Sequence, residues 1–341
     1  MEAENKLSED VFKYFLLDLG NNNFQEIMMR CFFNCDQLEH KVKGMTFADF
    51  GAHVINEANL VESHPMVVLF GKRALNWKLT PKLKQLHDDI TLLRGIAADL
   101  INKRKAEIQE GINSGGRYPD IIESFMTSEL SKNHTMDDLI NEFITFLIAG
   151  TDSTAHLLMM MVYLLHDHPA IQEKLRAEME EHIHCEEDIN HENIKKMQYL
   201  EWFQKETTRH YGPGTNIFVR EASVDQFIGK IPVSKGTGLF CHSVSNHYNE
   251  AYYKEPFQFR PERWESECNN LPGYALMGFG GGPRTCTGKQ LALLSAKVAL
   301  IKMLRRYERF ELPDVKRKFT LDFFYSPNPM LTILYRKLQT A

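Results

Sequence analysis

Residues 279–288 read FGGGPRTCTG and stand directly before the apolar run 289–304, KQLALLSAKVALIKML. A thiol just ahead of a helix faces the positive end of the helix dipole, and glycines let backbone N–H groups approach its sulfur. Both conditions favour thiolate over thiol. No CxxC or HxxxH partner lies nearby, so Cys286 cannot build a structural zinc site. A solitary thiolate can instead serve as the axial ligand of a haem iron (iron protoporphyrin IX). Arg284 would then offer a bidentate donor to a haem propionate, and Phe279 would pack on the ligand side. Without a cofactor, the same residues read as a glycine-rich entry loop to a helix with an inert cysteine.

The 341 residues, 43% of them hydrophobic, can bury a large core as one big domain or two ordinary ones. A net charge of -5 with scattered Lys and Arg leaves no basic stripe for nucleic acid. Six dispersed cysteines make no disulfide framework and point to a reducing compartment. The acidic start, residues 1–20, lacks the charged-then-apolar pattern of a signal peptide. Residues 143–165 are the one tempting membrane span, but Asp152 and His156 near the middle favour a buried helix in a soluble fold. No transmembrane segment is therefore expected.

Up to about residue 210 the pattern is largely helical. Residues 24–38 and 47–61 look like helices. In 88–108, Ile90, Leu93, Ile96, Ala97, Leu100 and Ile101 recur at helical spacing. Thr135 and Asp138 form a capping box ahead of a long helix that runs to about His166 and is apolar on nearly all sides, which implies a central position. Pro169 restarts the chain as a charged, solvated helix. Past residue 210, short β-branched and aromatic runs predict strands, with Gly229 in a hairpin turn. The turn 326–329 (SPNP) precedes a final strand. His182, His184, Cys185 and His191 cluster without metal-site spacing and read as a solvated loop. The methionine run 159–161 reads as core. The fold class is mainly α with small β-sheets, in a single domain over 1–341.

Two further motifs lie upstream in order. The first is ExxR, Glu206 to Arg209, whose charges share a helix face; alone it is weak evidence, since exposed pairs at this spacing are common. The second is Ala149-Gly150-Thr151-Asp152-Ser153-Thr154 in the long helix, which alone reads as a small-residue crossing point with a satisfied aspartate. With Phe279, Gly282, Arg284, Cys286 and Gly288 matching FxxGxRxCxG, the sequence resembles the haem-thiolate monooxygenases of the cytochrome P450 family.

The resemblance implies the cytochrome P450 fold, with haem between the long central helix and the helix after Cys286. Cys286 would ligate iron. Arg284, and Arg220 on a strand, would hold propionates, although Arg220 reads equally as an ordinary strand-end arginine. Glu206 and Arg209 would join Arg263 of the PERW segment 261–264 in a buried structural network. Trp264 replaces the family's phenylalanine. Ala149 and Gly150 would line the haem, Gly150 loosening the helical ladder to admit O2. Asp152, Ser153 and Thr154 would carry protons, with Ser153 where the family usually has threonine. Substrate contacts would come from Phe146 and Ala149, from residues 214–218 and from the turn 327–330. The implied reaction inserts one atom of O2 into a small apolar substrate, with fatty acids or sterols the suggested class. Electrons would come from a reductase or ferredoxin docking on the cysteine-loop side. Other readings are a truncated relative that binds haem poorly, and a haem-thiolate isomerase or dehydratase. The membrane anchor, first sheet strands, early helices and WxxxR pattern of the family have no counterpart, so an N-terminally incomplete chain is expected. The resemblance suggests association with the endoplasmic reticulum membrane; with no anchor in the sequence, a complete chain would be cytoplasmic.

Overall fold

The structure, a computed structural model, describes residues 11–33, 41–62, 64–71, 73–112, 119–129, 134–213, 218–311, 318–321, 325–328 and 332–337. The chain packs as two units, Asn21–Asp152, and Ser153–Ala341 together with Met1–Gly20. The elements begin with strand β1 (Val11–Phe15) and helix α1 (Leu16–Phe33). They continue through α2 (Phe47–Glu62), α3 (Pro65–Phe70), α4 (Arg73–Asn76), α5 (Pro81–Gln109) and α6 (Ile121–Thr127) to the long helix α7 (Met136–Asp167). The division between units falls inside α7.

In the Asn21–Asp152 unit, α5 starts at Pro81, earlier than the periodicity predicts, because Thr80 accepts the Leu83 N–H at 3.3 Å and Pro81 supplies a preset first turn. Leu93, Ala97 and Ile101 form its buried stripe. Arg104 prolongs that stripe and its Nε donates to Asp120 at 2.7 Å, while Asp120 caps α6 through the Glu123 N–H at 2.8 Å. The core gathers around Phe143 of α7, whose ring meets Phe33 at 4.7 Å, meets Phe32 at 5.2 Å and stacks on Phe47 at 5.9 Å. The expected capping box opens α7. Thr135 N–H donates to Asp138 at 2.8 Å and the Asp138 N–H returns to Thr135 Oγ1 at 3.2 Å. By length and composition α7 could cross a membrane, but 61% of its most apolar window is buried. Met159, Met160 and Met161 are fully enclosed, as a core reading requires.

In the other unit, α8 (Pro169–His182) follows, with Pro169 in its first turn. Next come α9 (His191–Lys196) and α10 (Gln198–Tyr211). The Glu178 carboxylate of α8 accepts the Tyr199 and Leu200 N–H groups at 2.6 and 2.9 Å, seating the start of α10. β2 (Phe218–Glu221), β3 (Gln226–Ile228), β4 (Ile231–Val233) and β5 (Gly238–Cys241) make two antiparallel pairs, β2 with β5 and β3 with β4, the latter turning at Gly229 with φ 61°. Then come α11 (Val244–His247), α12 (Lys289–Arg306) and strands β6 (Tyr307–Glu311), β7 (Lys318–Leu321), β8 (Tyr325–Asn328) and β9 (Thr332–Lys337). Strand β9 lies between β1 and β6, both antiparallel to it. Arg176 closes α12 by donating to the Leu304 and Tyr307 carbonyls.

The segment around Cys185 is a largely solvent-exposed loop, as expected, and α9 begins only at its end, at His191, capped by Asn190, which accepts the Asn193 N–H at 3.0 Å. Two expectations are revised. Residues 325–328 are a strand paired with β7 rather than a turn. The N-terminal 11–15 is a strand because β9 supplies its partner across more than 300 residues, a pairing no local pattern announces.

Candidate active site

Cys286 sits at the end of a loop closed on itself: its N–H donates to Phe279 O at 2.9 Å, and the Thr285 N–H to Gly282 O at 3.0 Å. The Gly282 backbone has φ 71°, a region open to glycine and strained for other residues. Gly288 caps α12, and a Cβ there would lie 3.9 Å from Cys286 Sγ, an ordinary contact. Glycine is thus needed at 282 for conformation, whereas at 288 the sulfur does not demand it. Cys286 is exposed and free of any disulfide. Arg284 is exposed too. Phe279 is half-buried under the Lys289 ammonium, 5.8 Å from the ring centroid.

Glu206, Arg209 and Arg263 come together as expected, each 1% exposed or less. Glu206 Oε1 accepts from Arg209 Nη2 at 2.8 Å, Arg263 Nε at 2.9 Å and the Arg260 N–H at 3.0 Å. Its Oε2 accepts from Arg209 Nε at 3.0 Å and Trp264 Nε1 at 2.9 Å. The remaining guanidinium donors reach backbone carbonyls: Arg209 those of His247 and Pro256, Arg263 those of Lys254 and Gln258. Burial alone would raise the Glu206 pKa, but bonds from His210 and Arg209 hold it well below the usual carboxylate range. Trp264 is therefore more than a substitute for phenylalanine. A buried carboxylate with room for one more donor is the signal that could have revealed it.

On α7, Ala149 is exposed, Gly150, Asp152 and Ser153 are partly buried, and Thr154 is buried. The helix runs unbroken through Gly150, so the expected loosening of its ladder is not seen. Gly150 instead accommodates α1: a Cβ there would lie 2.7 Å from Met28 Sδ. Asp152 has its pKa raised to about 6, first by burial and then by the neighbouring charge of Asp49. Thr151, one residue before it, buries a hydroxyl that has no hydrogen-bond partner among the described residues. Phe146 is half-buried and its ring lies 5.8 Å from that of Phe32. Arg220 is exposed on β2, opposite Leu239 of β5. Residues 214–217 and 329–330, also expected to touch substrate, lie outside the described residues.

Whether these residues suit a haem can be asked of the donor set. Among the described residues no group of His, Cys, Asp or Glu gathers to hold a bare metal ion. Cys286 offers one accessible thiol, a donor that would hold a haem iron. Arg284 adds an exposed cation two residues away. The residues fit the group.

The Cytochrome P450 family profile matches residues 16–334. Among curated relatives, the chain is 33% identical over 195 residues to Cytochrome P450 3A17 of Cavia porcellus, a stretch covering 57% of this chain and 39% of that protein. It is 32% identical over 240 residues to Cytochrome P450 4V2 of Mus musculus, covering 66% of this chain and 44% of the relative. The matched stretches thus span about two fifths of those relatives. In fold, it is similar to the heme domain of a cytochrome P450DA mutant, with TM-score 0.80 and 22% identity over 96% of this chain and 69% of that one. A cytochrome P450 named CYP102L1 aligns with TM-score 0.79 and 21% identity over 98% of this chain and 74% of that one.

Proposed function

The chain belongs to the cytochrome P450 family, a haem-dependent family, and from that premise we propose that it is a haem-thiolate monooxygenase acting on a small apolar substrate. The observation that carries this reading is the exposed, unbridged thiol of Cys286 at the mouth of α12, on a loop closed by its own backbone. Bound there, the haem supplies the redox centre at which O2 is activated, with thiolate donation favouring O–O cleavage.

The chain's own residues do the rest. Arg284 orients a propionate, and Arg220 is the second candidate for the same work. Asp152 keeps its proton up to about pH 6, so near neutrality it can both take up and release one, and Ser153 and Thr154 extend the hydroxyl path beside it. Glu206, Arg209 and Arg263 keep the scaffold beneath the loop from shifting. An electron-donating protein, a reductase or a ferredoxin, docks on the loop's outer side. Support for an acidic partner there comes from a cleft of about 570 Å³ along Phe279, α10 and α12, where Lys195, Lys205, Lys289 and Lys297 face a single carboxylate, Glu201. A fatty acid or sterol is the substrate class we favour.

The test is the reduced, carbon monoxide-bound spectrum of the purified chain. A red-shifted Soret band that disappears in Cys286→Ala is expected; a wild-type chain that takes up no haem overturns the reading. NADPH-dependent product formation with an added reductase then separates oxygen insertion from isomerisation.

A further inference from the structure

His247 is completely buried at the end of α11, between the Glu206 network and the start of the cysteine-bearing loop. Its carbonyl accepts Arg209 Nη1 at 2.6 Å, while on the other side its ring Nε2 lies 3.0 Å from the Met277 N–H. A backbone N–H can only donate, so Nε2 is unprotonated and the neutral ring carries its hydrogen on Nδ1. That Nδ1 is buried and, among the described residues, has no partner within hydrogen-bond distance. An apolar side chain of similar size would avoid this orphan donor but would leave the Met277 N–H unsatisfied, a penalty of the same order.

The path from there to the thiol is short. Met277 O accepts the Gly280 N–H at 3.1 Å, and Phe279 O accepts the Cys286 N–H at 2.9 Å. The neighbouring Gly278 lies against α10 so closely that a Cβ would stand 2.3 Å from Thr208 Cγ2. The loop is therefore pinned where it begins, by a hydrogen bond to His247 and a backbone contact with Thr208, one residue before Arg209.

We propose that His247 is a positioning residue for the cysteine-bearing loop, its neutral imidazole accepting the Met277 N–H at Nε2 and so coupling the buried Glu206–Arg209 core to the place of Cys286. Burial acts first on the ring, and the charges of Arg209 and His210 add to it. Together they outweigh the opposing pull of the Arg209 backbone on the ring and bring its pKa to about 4, so the accepting form persists through neutral pH.

The inference rests on reading Cys286 as the haem ligand, and two readouts separate the two claims. Nitrogen NMR of the histidine-labelled full chain, with the His247 signals assigned by their loss in His247→Gln, needs no haem. A neutral ring protonated at Nδ1 from about pH 5 to about pH 8 is expected; a proton on Nε2 at neutral pH overturns the proposal. Second, the thiolate-bound fraction in the reduced carbon monoxide spectrum is compared at equal haem loading. Glutamine can still accept at its Oε1 and should stay within about twofold of wild type, whereas His247→Leu should fall about five- to tenfold. A leucine variant equal to wild type, or a glutamine variant that falls as far as leucine, overturns it. Should the leucine variant not fold, the tautomer and the glutamine variant still decide. A wild-type chain with no thiolate-bound spectrum would sink the haem reading alone.

Discussion

Trp264 donates its indole N–H to Glu206 Oε2 at 2.9 Å, a bond that phenylalanine at that place cannot make. Bonds to a charged acceptor contribute about 1.5–3 kcal/mol, so Trp264→Phe should lower stability by that order in urea titration of the chain. Glu206→Gln should cost more, about 3–5 kcal/mol, because it leaves two buried guanidinium groups without their counter-charge. Asp152 runs the other way. Its pKa rises from 3.8 to about 6 on folding, so the native state is favoured when the carboxyl is protonated. That contribution is complete below about pH 4 and is lost as pH climbs through about 6. Asp152→Asn should therefore leave stability nearly unchanged at pH 4 and raise it at pH 8 by up to about 3 kcal/mol. If Asp152 carries protons, the same variant should lose about a hundredfold in turnover while keeping its carbon monoxide spectrum. A group that is only structural would not give both results.

Among the elements, the start of the cysteine loop is held by α10 and α11 more than by α12. Gly278→Ala places a methyl 2.3 Å from Thr208 Cγ2, too close to remain, and either the loop or the Thr208 side chain must move. Thr208 is itself buried and bonded through its hydroxyl to Gln204 O at 2.8 Å, which leaves the loop as the part that yields. The substitution should lower haem affinity, and adding Thr208→Ser, which removes the methyl but keeps the hydroxyl, should recover most of it; haem titration of the two variants checks this. These contacts also show what could be read in advance. The Glu206–Arg209–Arg263 set was legible, Glu206 and Arg209 through their spacing on one helix face and Arg263 through the resemblance at PERW. The long helix α7 was legible through its capping box and unbroken apolar length. His247 and Trp264 were not, since their roles arise from partners 30 and 58 positions away in sequence. The early start of α5 hid in a charged first turn, and the small-residue run at Gly150 fitted both a loosened helix and a close crossing until Met28 decided for the crossing.

At the scale of the whole molecule, the candidate residues divide between the two units: Cys286, Arg284, Arg220, Ser153 and the Glu206 network in one, Asp152 in the other. A chain of two units need not unfold in one transition, so a single melting temperature would blur what haem does. The three tryptophans offer a handle, because Trp202 and Trp264 belong to the unit with Cys286 and Trp77 to the other. In a Trp77→Phe chain, near-ultraviolet circular dichroism in the indole bands reports the Cys286 unit alone. A ligand that binds only the folded state adds about 2.7 kcal/mol when present at about a hundred times its Kd. For a unit of this size that corresponds to a rise of about 5–10 °C in the indole-monitored midpoint on haem loading. Stripping the haem should reverse the rise. Cys286→Ala should abolish most of it, because the iron loses its protein ligand while the Glu206 network stays intact. A rise of equal size without the thiol would mean that haem is held by some other group, and the assignment of Cys286 would fall with it.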